Sequence, residues 1–241
     1  MTGLSEAFFA LHSGLKREGP GDAESLAWAL DLARTPARAR ILDAGCGPGA
    51  DLQILSALRP GAHLVGMDLH APFIDRIRAE QPHVEVVCGD MLAPAGGFDL
   101  IWSAGAAYSV GVETALDAWR AALLPGGAVA FSDCLWRHGN PSPASHLFWQ
   151  REYPAMRDLP GLLALLDATG WRVLGARWLG DAAWEAYYTP LEARIKALRP
   201  KAEATGDAQM LAVLDDNQAE IDLWRSHGTD YGYYLTVVQP I

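Results

Sequence analysis

Between Asp43 and Gly49 the chain reads Asp-Ala-Gly-Cys-Gly-Pro-Gly, so Gly45, Gly47 and Gly49 alternate directly after the apolar stretch entered from Arg40. Glycines at that spacing let a strand turn sharply into a helix with bare backbone facing a ligand. Two further acids follow. Asp68 closes the stretch His63 to Asp68, about twenty residues beyond the loop, where a carboxylate can accept hydrogen bonds from both hydroxyls of a ribose. Asp90 comes after Gly89 and can accept from an adenine amine while Met91 packs on the ring. A lone aspartate after a strand is usually a helix cap or a turn residue. Two of them at these offsets from a three-glycine loop point instead to a ligand at the carboxyl ends of strands. The dinucleotide fingerprint Gly-x-Gly-x-x-Gly does not fit, since the third glycine comes one residue too early. Asp43, two residues before the first glycine, also opposes a pyrophosphate and suits a ligand carrying an ammonium and a sulfonium.

The elements that must hold these residues alternate. Strands are expected at Arg40 to Ala44, His63 to Asp68, Val84 to Cys88, Phe98 to Ser103 and Ala128 to Asp133. Helices are expected at Ala50 to Leu58, Ala71 to Glu80 and Glu113 to Leu123, the last with Leu116, Trp119 and Leu123 on one face. That alternation predicts a parallel sheet with right-handed crossovers. Before it, residues 1–35 read as a helical cap in two pieces. Leu4, Phe8, Leu11 and Leu15 recur at helical spacing, Gly19-Pro20-Gly21 breaks the chain, and Asp22 caps a second helix. After Asp133, residues 134–160 read as irregular or short helical structure. Leu162 to Ala168 reads as a helix ended by Gly170, and Trp171 to Leu179 as a strand. Residues 181–226 read as helices, with Thr189-Pro190 as an N-terminus, and Tyr233 to Val238 as the last strand. No clean linker interrupts the 241 residues, which implies one domain with a helical insertion.

Composition narrows the partners. The formal net charge of −10 argues against binding nucleic acid or an anionic membrane through general electrostatics. Cys46, Cys88 and Cys134 are an odd set without Cys-x-x-Cys spacing, which fits small buried residues in a reducing compartment. His12, His70, His146 and His227 lack metal-ligand spacing, so no metal is assigned. With no apolar run of membrane-spanning length and no signal-peptide pattern, the expectation is a cytoplasmic protein, monomeric or homodimeric.

The chain resembles the class I S-adenosylmethionine (SAM)-dependent methyltransferases over roughly residues 40–135. The resemblance rests on the glycine loop, Val65-Gly-Met-Asp-Leu69, Val87-Cys-Gly-Asp-Met91, Phe98-Asp-Leu-Ile-Trp-Ser103 and Leu124-Pro-Gly-Gly-Ala-Val-Ala130. Softer matches, to a bacterial subgroup acting on small molecules, are Arg17-Glu-Gly-Pro-Gly21, Ala107-Tyr-Ser-Val-Gly111, Trp184-Glu-Ala-Tyr-Tyr-Thr-Pro190 and Asp230-Tyr-Gly-Tyr233. It implies a Rossmann-like α/β fold: a seven-stranded, mostly parallel sheet with helices on both faces and the last strand antiparallel. About fifty residues separate strands six and seven, which the family usually joins in a close hairpin, so 181–226 reads as a substrate lid. The implied cofactor is S-adenosyl-L-methionine, with S-adenosyl-L-homocysteine (SAH) as product. Its expected contacts are Arg17, Gly21, Asp43, Gly45, Cys46, Gly47, Gly49, Asp68, Leu69, Gly89, Asp90, Met91 and Ser103, with Arg17 pairing the cofactor carboxylate.

Methyl transfer from a sulfonium needs the nucleophile, methyl carbon and sulfur held in line, and a base only when the nucleophile must lose a proton. Position nominates Tyr108 after the fourth strand and Asp133 at the end of the fifth as catalytic candidates. Tyr108, Trp136, Trp184, Tyr188 and Tyr231 are the substrate-contact candidates, with His138 and Tyr187 close by in sequence. An aromatic, acidic pocket suits an amine or other cationic substrate, whereas packing of lid against core is the ordinary use of such aromatics. The expected activity is methyl transfer to nitrogen or oxygen of a small molecule. The alternatives are an NAD(P)-type oxidoreductase and a non-catalytic SAM-binding protein.

Overall fold

The computed structural model describes residues 6–241. Leu4, part of the expected N-terminal apolar face, lies outside them. Two helices, α1 (Glu6–His12) and α2 (Ala23–Leu32), precede the sheet, and Asp22 caps α2 by accepting from the Ser25 N–H at 2.6 Å. The parallel core then runs β1 (Arg40–Ala44), α3 (Ala50–Leu58), β2 (His63–Asp68), α4 (Ala71–Glu80), β3 (Glu85–Cys88), β4 (Phe98–Ala104), α5 (Val112–Arg120) and β5 (Leu123–Trp136). The second half holds α6 (Pro143–Glu152), α7 (Leu159–Ala168), β6 (Trp171–Trp178), α8 (Asp181–Thr205), α9 (Ala208–His227) and β7 (Tyr231–Pro240).

The seven strands form one sheet in the order β3-β2-β1-β4-β5-β7-β6. β1 to β5 are parallel to one another, and β7 runs antiparallel to both β5 and β6. The order reverses at β1, flanked by β2 and β4, and the glycine loop leaves from its carboxyl end. This is the switch point at which open α/β sheets bind ligands. Two apolar clusters sandwich the sheet. One holds Leu26, Ile41, Leu52 and Ile77 from α2, β1, α3 and α4; the other holds Val112, Leu116 and Trp119 of α5 with Leu162 and Leu166 of α7. A third joins α1, α8 and α9 through Leu11, Tyr188, Leu191 and Trp224.

The structure departs from the sequence reading in two places that matter for the site. β5 continues to Trp136, so Asp133 lies inside the strand rather than at its end. The cause is β7, whose Tyr231 to Leu235 pair with Ser132 to Trp136 and keep that backbone extended. Pro190 does not start a helix; it sits inside the single helix α8. An internal proline costs about 3 kcal/mol. The burial of Trp184, Tyr187, Tyr188, Leu191 and Ile195 along the same helix offsets it, at roughly 1.5–3 kcal/mol for each large apolar side chain.

Candidate functional site

The site grows from the loop after β1. Gly45, Gly47 and Gly49 all have positive φ, +76°, +51° and +89°. At Gly45 a Cβ would stand 2.5 Å from the Ala106 Cβ, so both the conformation and the close approach demand glycine. The N–H groups of this loop are consumed internally. Gly45 and Cys46 donate to the Met67 carbonyl at 2.8 and 3.0 Å, Gly47 to Asp68 Oδ2 at 2.9 Å, and Gly49 to the Cys46 carbonyl at 3.0 Å. A phosphate needs such groups pointing outward, so this loop forms no pyrophosphate cradle. Cys46 and Ser103 are buried, and the Ser103 hydroxyl donates to the Ala44 carbonyl at 2.9 Å, tying β4 to β1.

Around the loop stand carboxylates. Asp43 is buried, and its Oδ2 has no hydrogen-bond partner. Burial first, then Asp51 and Asp68, push its carboxyl well above the ordinary value, with Arg17 partly opposing them. Asp68 accepts from the Gly47 N–H with one oxygen and from the His70 N–H, at 2.8 Å, with the other. Each oxygen keeps a second lone pair for a ligand hydroxyl. Leu69 beside it is 73% exposed, an apolar side chain standing free at the same rim. Asp90 is exposed and turns back onto the Leu92 N–H at 2.9 Å, while Met91 is buried with its sulfur 3.4 Å from where a Gly45 Cβ would lie. Gly89 donates to the Asp68 carbonyl at 3.0 Å, joining the two strand ends.

Sequence reasoning missed three acids here. Asp51, in the first turn of α3, accepts from Arg17 Nη2 at 2.8 Å and from Trp102 Nε1 at 2.9 Å. Glu18 lies against Gly47, its Oε1 buried without a partner and its Oε2 bonded to His12 Nδ1. Arg17 therefore meets Asp51 in this structure, and its second nitrogen donates to the Gly19 carbonyl. Gly21 donates to the Ala183 carbonyl at 3.2 Å, fastening this segment to α8.

The third missed acid, Glu220 of α9, belongs to the neighbouring aromatic region. Tyr108 sits on a single 3-10 turn, Ala107–Ser109, after β4, with 37% of its surface exposed and its ring 5.4 Å from that of Tyr153. Tyr153 donates to Asp133 Oδ2 at 3.3 Å, and Asp133 Oδ1 is buried without a partner. Burial pushes the Asp133 carboxyl up to about 7 against the lowering pull of Tyr153, the Cys134 N–H and Arg157. The Tyr108 hydroxyl is pushed up to about 12 by burial and then by the charges of Glu220, Cys134, Glu152 and Asp133. Trp184, Tyr188 and Tyr231 do not stand open; each is almost wholly buried, with Trp184 stacked 5.3 Å from Trp224. The Tyr188 hydroxyl donates to Glu220 Oε1 at 2.8 Å. Trp136 stacks on His146 at 6.2 Å and lines, with His138 and Arg157, a cleft of about 410 Å³.

A sequence model of a family described as a methyltransferase domain matches residues 41–127, the stretch that carries β1 to the turn inside β5. Over that stretch the chain is similar to a methyltransferase domain. It is 35% identical over 106 residues to a trans-aconitate 2-methyltransferase of Paracidovorax citrulli, covering 41% of each chain. It is 34% identical over 153 residues to a malonyl-[acyl-carrier protein] O-methyltransferase of Enterobacter lignolyticus, covering 56% of this chain and 60% of the other. The chain thus spans between 41% and 60% of the length of these two curated relatives. In fold it is similar to a SAM-dependent methyltransferase of Thiobacillus denitrificans solved with SAH. The TM-score is 0.83 at 19% identity, over 99% of both chains.

Proposed function

We propose that the chain transfers a methyl group from SAM to a nitrogen or oxygen of a small molecule. The observation that carries this reading is the orphaned Oδ2 of Asp43, a buried acceptor beside a glycine loop with no outward N–H groups. A buried carboxylate without a donor is costly, and an ammonium supplies the missing donor and charge. Glu18 Oε1, equally buried and unpartnered, gives a second such acceptor. The residues therefore fit the cofactor. Asp43 and Glu18 would hold its cationic end, Asp68 its ribose, and Met91 with Leu69 its adenine, while Arg17 is the nearby cation for its carboxylate. The cofactor, when bound, supplies an electrophilic methyl on a sulfonium.

The chain's own groups do the rest. Tyr108 and Asp133 bound the space where an acceptor would lie, and Asp133 is the group able to take its proton. In this reading the chain is one domain, with the N-terminal segment a cap and α8–α9 a lid. Three contacts support that coupling. Arg194 of α8 donates to the Ala10 carbonyl at 2.7 Å, His12 meets Asn217 of α9 at 3.3 Å, and Gly21 bonds to Ala183. The absence of a pyrophosphate cradle supports this function over the nicotinamide one.

Incubation with methyl-labelled SAM and a panel of small acceptors tests the proposal. Stoichiometric appearance of SAH and a labelled acceptor is expected. Tight cofactor binding with no transfer to any acceptor would favour a non-catalytic SAM-binding protein instead.

A further inference from the structure

Residues 13–22 run from α1 to α2 as a strap fastened to four elements. Arg76 of α4 donates to the Leu15 carbonyl at 2.6 Å, Arg17 Nη2 to Asp51 of α3 at 2.8 Å, and the Gly21 N–H to the Ala183 carbonyl of α8 at 3.2 Å. The fourth fastening runs through His12, the last residue of α1. Its ring is 3% exposed and stacks on Phe8, with centroids 4.0 Å apart. Its Nδ1 meets Glu18 Oε2, and its Nε2 lies 3.3 Å from Asn217 Oδ1 of α9. Asn217 donates its amide N–H to the Val213 carbonyl at 2.8 Å, which leaves its oxygen to face the ring. Both ring nitrogens therefore face oxygen acceptors and donate to them.

The strap lays Glu18 beside the glycine loop. Its Cγ is 3.6 Å from where a Gly47 Cβ would lie, and among the described residues no side chain but Glu18 comes within 4 Å of that point. One Glu18 oxygen is held by His12. The other, Oε1, is buried with no hydrogen-bond partner. An ion pair that only stapled α1 to the strap would gain nothing from a second oxygen shut away from water and left without a donor. At a cofactor loop whose own Asp43 Oδ2 is likewise unpartnered, that oxygen is placed to receive a donor from a ligand.

We propose that His12 is a positioning residue: it grips one oxygen of Glu18 so that the other receives the ammonium group of the bound cofactor, while Asn217 fixes the ring from α9. This deepens the cofactor reading and rests on it. Recognition of the cofactor's amino group then depends on α1 and α9 as well as on the loop after β1. Because His12 acts only through Glu18, the effects of replacing the two residues do not add.

The test titrates wild type, His12→Leu, Glu18→Gln and the double variant by calorimetry with two ligands: SAH, and its analogue with hydrogen in place of the α-amino group. Thermal melting is run on each protein. SAH affinity is expected to fall roughly 10- to 100-fold in Glu18→Gln and roughly 5- to 30-fold in His12→Leu, with the double variant no weaker than Glu18→Gln alone. The analogue without the amino group is expected to bind all four proteins equally. His12→Asn, whose amide nitrogen reaches the position of Nδ1, is expected to recover most of the SAH affinity, and it decides the matter where the leucine variant does not fold. Equal losses for both ligands, or losses that add in the double variant, mark a structural staple and overturn the positioning role. Unchanged SAH affinity in the variants overturns it too and leaves the cofactor reading standing, whereas failure of wild type to bind SAH removes both.

Discussion

Replacing Asp43 by asparagine is expected to move stability and cofactor affinity in opposite directions. Asp43 is buried, its Oδ2 has no donor, and Asp51 and Asp68 add negative charge around it. Its folded carboxyl is therefore raised above the ordinary value of 3.8. A carboxyl raised on folding binds more protons folded than unfolded. Its contribution is fully present below about 4 and is lost as pH rises toward the folded value. At neutral pH the ligand-free protein thus carries a destabilising group. Asparagine keeps the shape, removes the charge and offers N–H donors to its acidic neighbours. Relief of a buried acceptor of this kind is about 1–3 kcal/mol, and in a chain of this size each kcal/mol moves Tm by about 2–4 °C. The ligand-free variant is expected to melt roughly 2–10 °C higher at pH 7, with the gain shrinking below pH 4. In the proposed cofactor placement the same change removes a charge-assisted bond to the ammonium, about 1.5–3 kcal/mol, so SAH affinity is expected to fall roughly 10- to 150-fold. Paired melting curves and calorimetric titrations read both. A variant that is less stable at pH 7 and binds SAH as wild type does would refute the reasoning.

Asp68→Ala removes the acceptor for both the Gly47 and His70 N–H groups, as well as the proposed ribose contact. It is expected to weaken SAH binding by at least about 100-fold, with a loss of about 1–3 kcal/mol in denaturant unfolding. Gly45→Ala forces a side chain into a positive-φ position 2.5 Å from Ala106; unfolding should show a cost of about 2–4 kcal/mol, and titration a loss of SAH affinity. In its proposed role as base Asp133 must be ionised to take a proton, so kcat of wild type is expected to rise with pH through about 7. Asp133→Asn is expected to lower kcat by about 10²- to 10⁴-fold and to abolish that limb while SAH still binds, as a pH–rate profile with parallel titrations would show.

The proposed cofactor half of this site is legible in the chain because its residues cluster in sequence. Asp43 and the three glycines lie within seven positions, and strand patterning places Asp68 and Asp90 at the neighbouring strand ends. The expected mostly parallel sheet with an antiparallel last strand follows from the same alternation and from the family resemblance, and the observed strand order agrees with it. What stayed hidden depends on contacts between distant segments. Glu18 acquires meaning through His12 and Gly47, and Asp51 through Arg17 and Trp102. Glu220 looks like any polar residue on an amphipathic helix until α8 turns Tyr188 toward it. Pro190 signals a helix start locally, but the apolar face continuing on both sides of it overrides that signal. The late aromatics read as an open wall, yet Trp184, Tyr188 and Tyr231 pack on one another and on Trp224 where α8, α9 and β7 meet.

Calorimetric titration of the wild-type protein with S-adenosylhomocysteine, repeated with NADH, tests the central claim most directly. The arrangement of Asp43, Glu18 and Asp68 around a loop without a pyrophosphate cradle predicts one site of micromolar or tighter affinity for the thioether and none for the dinucleotide. A folded protein that ignores S-adenosylhomocysteine, or prefers NADH, would contradict it.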